Sequence, residues 1–151
     1  MKKILTILVC TLIILSLSAC TNSKNEFDIG KESNIEIEEK GVSLLIKENT
    51  LTKTGATLIL KNDSDVVIQY GEPYEIEIKK DGKWHKINVE LNFIMPAYIV
   101  NAKESKEIEL NWSYGYGKLT SGNYRIIKDI NIKNAEGSYE KFYVSAEFSI
   151  E

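Results

Sequence analysis

The sequence predicts an all-β fold, an antiparallel sandwich of about seven strands, on three observations. From Ile35 onward, short runs alternate apolar and polar residues. Turn-forming clusters divide these runs at roughly 8 to 12-residue spacing, which suits a sandwich. No stretch carries an apolar stripe at helical period long enough to build a helix.

The elements follow in order. IEIEE, Ile35 to Glu39, alternates but is acidic on one face, so it is either an edge strand or the end of a tether. VSLLIK sets Val42, Leu44 and Ile46 on one side, and ATLILKN does the same with Ala56, Leu58 and Leu60. Asn62-Asp63-Ser64-Asp65 is a turn cluster. YEIEIKK points Tyr74, Ile76 and Ile78 inward and leaves Glu75, Glu77 and Lys79 to water. Asp81-Gly82 follows at once, and this pair supplies the positive φ angles of a tight hairpin. KWHKINVEL is the return strand, with His85 facing opposite to Trp84 and outward. KEIELNW, NYRIIKDI and KFYVSAEFSI complete the set, with a turn at Asn134 to Ser138.

The first twenty residues differ from the rest. Lys2 and Lys3 precede an uncharged apolar run, Ile4 to Leu17. That run is short for a membrane span, which needs about 20 apolar residues, and has the proportions of a secretory signal. Leu17-Ser18-Ala19-Cys20 resembles a bacterial lipobox, in which the cysteine becomes the first mature residue and carries lipid on its sulfur. The plainer alternative is a signal peptide that contains a cysteine. The expected organisation is a lipoprotein signal peptide over 1–19, a polar tether over 20–34 beginning at lipidated Cys20, and one domain over 35–151. Two acyl chains hold a protein stably at a bilayer. The expected location is therefore the cell membrane, lipid-anchored and facing outward.

Composition excludes several classes. Cys10 and Cys20 are the only cysteines. Cys10 leaves with the signal and Cys20 is acylated, so the domain has no disulfide and no thiolate metal site. Without Lys2 and Lys3, 17 basic side chains face 22 acidic ones, a formal charge of −5. An acidic chain without a basic cluster lacks the footprint of a nucleic-acid binder.

The stretch GYGKLTSGNYRIIK, Gly115 to Lys128, tests whether glycines here cradle a phosphate. Gly117-Lys118 is followed by Leu119 with no glycine five positions earlier, so no phosphate loop is present. A strand follows, so no helix dipole is aimed at an anion. Instead Leu119, Gly122 and Tyr124 form L-x-x-G-x-Y, which resembles the tyrosine corner of immunoglobulin-like and fibronectin-like sandwiches. There a tyrosine hydroxyl bonds back to upstream backbone. Leu119 is expected to plug the core and Gly122 to allow the bend.

The resemblance extends further. Asn62-Asp63-Ser64-Asp65, Tyr70-Gly71 with Tyr74, Asp81-Gly82-Lys83-Trp84, and Tyr116-Gly117 through Lys128 are similar, in order and spacing, to the small immunoglobulin-like domain of Gram-positive surface lipoproteins. The likeness covers roughly residues 42 to 130. It implies an immunoglobulin-like β-sandwich at the cell envelope and no reaction. The absence of an inter-sheet disulfide sets this chain apart from antibody domains.

No catalytic constellation can be assembled. His85 is the only histidine and has no ligand-type neighbour in sequence. Ser113, Ser121 and Ser138 have no base beside them. The Glu/Lys alternation in Tyr74 to Lys80 reads as a solvated face. No cofactor and no metal are expected. NFIMPAYIV, Asn92 to Val100, resists assignment as one strand because Pro96 blocks a ladder bond. Phe93, Met95 and Tyr98 there, with Tyr114 and Tyr116, either cap the sandwich or form a patch that docks an envelope protein. Tyr114 and Tyr116 are the pair expected to be exposed. The function expected is a non-enzymatic binding or accessory module, membrane-attached through Cys20. The alternative is an envelope stress or resistance factor that regulates a partner such as a sensor or peptidase.

Overall fold

The computed structural model describes residues 27–133 and 136–151. Cys20 and the signal segment lie outside the described residues, as do Asn134 and Ala135 of the expected last turn. Ten strands and no helix occur among the described residues. They are β1 (Asp28–Glu32), β2 (Val42–Ile46), β3 (Gly55–Asn62), β4 (Ile68–Tyr70), β5 (Glu75–Lys80), β6 (Lys83–Asn88), β7 (Tyr98–Val100), β8 (Ser105–Asn111), β9 (Gly122–Lys133) and β10 (Tyr139–Ile150).

All pairings are antiparallel. A three-stranded sheet runs β2-β3-β8, and a seven-stranded sheet runs β1-β6-β5-β9-β4-β7 with β10 also on β9. β9 is the spine of the larger sheet. β10 pairs its whole length, from Gly122↔Ile150 to Lys133↔Tyr139. On its other side β5 takes Tyr124 to Ile127, and β4 takes Ile130 to Ile132.

The alternation that predicts the strands also selects the core. Val42 and Leu44, then Ala56, Leu58 and Leu60, are buried from the smaller sheet. Ile76, Ile78, Ile126, Phe142 and Val144 are buried from the larger. Each large apolar side chain so covered stabilises the fold by about 1.5–3 kcal/mol. Trp112 lies fully inside, with its indole N–H donating to the Lys53 carbonyl at 3.0 Å.

Asp81 and Gly82 both have positive φ, 49° and 80°, and close the β5–β6 hairpin between paired Lys80 and Lys83. At the other end of the molecule Asn62 is buried, donates to the carbonyls of Val66, Val100 and Asn101, and accepts from Ser64. The turn cluster read from the sequence is thus wired to the end of β7.

Tyr124 is buried, and its hydroxyl donates to the Thr120 carbonyl at 2.8 Å. Leu119 is buried beside it. The bend expected at Gly122 is not there, because that residue is extended and paired with Ile150. A side chain at Gly122 would begin 3.3 Å from the Tyr124 ring, so the glycine provides room rather than curvature. Tyr124→Phe should lower stability by about 1 kcal/mol in urea unfolding while keeping the ring's packing. An unchanged midpoint would mean the hydroxyl bond contributes nothing.

Three strands exceed the expected seven, each for a local reason. β4 and β7 have three residues apiece, too few to show a period. β1 lies inside the stretch expected to be tether; its DIGKE has no apolar alternation and becomes a strand only by pairing with β6. Ile35 to Glu39, by contrast, forms no ladder strand. It crosses the larger sheet, and Glu38 N–H donates to the Tyr143 carbonyl at 2.9 Å.

Candidate functional site

The outer face of the larger sheet departs most from expectation. Register places Glu77 opposite Arg125 across β5 and β9. Glu77 is 0% exposed, and Arg125 is also buried. One carboxylate oxygen, Glu77 Oε2, accepts from Arg125 Nε at 2.7 Å and lies 2.6 Å from Nη2. The Arg125 guanidinium stands 4.8 Å from the centre of the Trp84 ring, and Lys79 Nζ stands 5.0 Å from the same ring. The solvated Glu/Lys face is therefore in part a buried ion pair. The Ser33–Ile35 segment passes near it, with Ser33 Oγ 3.5 Å from Arg125 Nη2.

Trp84 and His85 exchange their expected sides. His85 pairs with buried Ile78, so it shares the core-side face at the sheet edge. Its Nδ1 lies 3.3 Å from the Gly30 carbonyl. Trp84 occupies the outer face because the arginine offers a flat cation for its ring to cover.

Beside this pair runs a groove of about 390 Å³, in the size range of ligand pockets. Tyr74, Leu91, Phe93, Met95 and Ile127 supply its apolar walls. Tyr74 and Phe93 meet edge to face at 5.5 Å. Two ion pairs border it, Lys86–Glu75 at 2.9 Å and Lys141–Asp129 at 3.0 Å.

Lys128 holds one wall of the groove in place. It points from β9 toward the core and is buried. Its ammonium donates to the carbonyls of Gly71, Glu72 and Pro73 at 2.8, 3.4 and 2.9 Å. The β4–β5 turn is thereby pinned from below, and Pro73 and Tyr74 are set at the groove edge. Burial lowers the Lys128 pKa from 10.5 to about 8. Tyr116 pins the other side, where its hydroxyl accepts from Ile76 N–H at 3.0 Å. Burial raises its pKa well above the usual phenol range.

The bacterial Ig-like domain family matches residues 38–149 of the chain. The chain belongs to that family. No curated protein matches it, and no solved structure does. Members of this family are generally non-enzymatic, and membership supports an extracellular accessory or binding module. Among the described residues no three His, Cys, Asp or Glu side chains are grouped to hold a metal ion.

Within this Ig-like domain the five aromatic-loop candidates separate. Phe93 and Met95 line the groove. Tyr98 lies on β7, stacks on Tyr70 at 5.2 Å, and donates its hydroxyl to Glu72 at 2.5 Å. Tyr114 is 97% exposed on the turn after β8. Tyr116, expected to be exposed with it, is buried, because its ring packs 6.0 Å from Tyr74 and its hydroxyl serves the β5 backbone. Sequence reasoning missed Tyr74 as a wall, while Ile94 and Ile99, in the stretch offered as a docking patch, are exposed. The available signal was charge: no residue from Leu91 to Ala102 carries one.

Proposed function

We propose that this chain is a lipoprotein whose Cys20 carries the anchor, and that it presents its Ig-like domain outside the cytoplasmic membrane as a non-enzymatic binding module. Its site is the groove together with the lip formed by the β6–β7 connection and β7. It takes an apolar segment of an envelope protein. One observation carries this reading. Met95 and Ile94, in the β6–β7 connection, are 85% and 75% exposed, Ile99 on the edge strand β7 is 59% exposed, and no residue from Leu91 to Ala102 carries a charge. The β8 edge, in contrast, bears Lys106, Glu107 and Glu109, and the β1 edge bears Asp28, Lys31 and Glu32. Proteins guard sheet edges with such charges, and an edge left unguarded is suited to contact.

The anchor and the docking surface are tested separately. Labelled palmitate should enter the chain and be lost in Cys20→Ser; equal labelling of both would refute the anchor. A photo-crosslinking residue at Met95 or Ile99 should trap a protein partner in intact cells, and one at Glu109 should not. Equal capture at all three positions would remove the docking surface.

A further inference from the structure

We propose that β1 is a strand the chain supplies to an edge built to receive one, and that an extended segment of a partner protein with the same side-chain pattern displaces it. The edge belongs to β6, and this inference does not depend on the apolar groove.

Three observations carry it. First, β1 lies outside the residues matched by the family, which begin at 38. Without β1, β6 would be paired on one side only. Second, β1 pairs irregularly with β6. Its register slips between Ile29 and Glu32, and its side chains are exposed or only partly buried. β9 and β10, by comparison, pair without a break over twelve residues each. Third, the chain that follows β1 does not close down on the sheet. A groove of about 650 Å³ runs under Ile29 to Ile35, against Glu75, Glu77 and Lys86. Glu77 Oε1, buried at its wall, has no hydrogen-bond donor from the protein. A well-fitted cover would leave no such space.

The contacts of β1 specify what replaces it. Ile29 sits opposite Ile87 and packs against the core. Gly30 is small where a side chain would meet the Asn88 amide at 2.6 Å. Glu32 pairs with Lys83 at 2.8 Å, and Asp28 accepts from Asn88 at 2.9 Å. Ser33 N–H donates to the Trp84 carbonyl at 2.8 Å. The displacing segment therefore carries an acid, an apolar residue, a small residue, any residue and an acid. It adds to β6 through backbone bonds, with specificity from alternate side chains.

The test uses a synthetic peptide, FDIGKESNIE, against the full chain and against full-chain Ile29→Asp. The substitution sets a carboxylate against the core and releases β1. The peptide should shift the amide resonances of Trp84 to Asn88 in both chains. It should bind the variant about tenfold or more tightly, because the competing self-strand is withdrawn. A peptide with Asp in place of Ile should bind neither. In the unmodified chain, amide hydrogens of β1 should exchange at least about tenfold faster than those of β9, through local opening. Absence of peptide binding to both chains would overturn the proposal. So would equal exchange protection of β1 and β9, a readout that stands even if the variant fails to fold.

Discussion

Arg125→Met is expected to lower folding stability by about 3–5 kcal/mol, because it leaves the Glu77 carboxylate buried without its partner. Glu77 and Arg125 have side chains 1% and 8% exposed, so water replaces the lost contacts only in part. The guanidinium also leaves the Trp84 ring. The loss belongs to the stranded charge and not to the pair as such. Arg125→Met combined with Glu77→Gln should therefore recover more than half of it. Urea unfolding of the two single variants and the double variant measures this directly. If the double variant is as unstable as Arg125→Met alone, packing of the arginine stem, not charge, explains the effect.

Lys128→Met is expected to cost about 2–3 kcal/mol near neutral pH and more in alkali. Methionine fills the space but leaves three partly buried turn carbonyls without this donor, each worth about 1–3 kcal/mol when unsatisfied. Removing a buried charge offsets part of that. The pH dependence has a definite sign. Lys128 loses its proton at about 8 in the folded chain and at 10.5 when unfolded. Between these values the unfolded chain binds more protons, so this group makes stability rise with pH, by up to about 3 kcal/mol. Lys128→Met removes that rise. Unfolding at pH 7.5 and 10 should show the gap between the two chains widening in alkali. A constant gap would mean the folded pKa is not lowered. The variant should also loosen Gly71 to Pro73, and with them Tyr74 at the groove.

The two residues behind these predictions show where reading the sequence stops. Glu77 and Lys128 each occupy a position whose charge argues for water. Alternation assigns Glu77 to the outer face correctly, since Ile76 and Ile78 are in the core. It carries no information about a second layer above that face. The segment after β1 lies 92 residues before Arg125, and Arg125 itself lies 48 residues after Glu77. Lys128 is the reverse case. It falls on the core face with Tyr124, Ile126 and Ile130, and its charge is accommodated only because the β4–β5 turn aims three carbonyls at it.

The groove was half legible. Phe93 and Met95 stand out by composition, since an uncharged aromatic and methionine stretch is unusual in a chain that is 27% charged. Alternation assigns Tyr74 to the core, and its place at the wall follows from Lys128 and Tyr116, which no local pattern connects to it. Tyr114 and Tyr116 are indistinguishable in sequence, each beside glycine. One is 97% exposed and the other buried, because only Tyr116 reaches the Ile76 amide.

What the sequence determined by itself was the class of fold, the hairpin at Asp81-Gly82, and the apolar face of nearly every strand. These rest on backbone sterics and on a two-residue period, both of which are local. What the tertiary structure alone decided was pairing: that DIGKE becomes a strand, that a glutamate and a lysine are buried, and which tyrosine faces water. Such outcomes depend on groups distant along the chain that meet only after folding, and the free energy of burying a charge or a backbone bond is set by those partners.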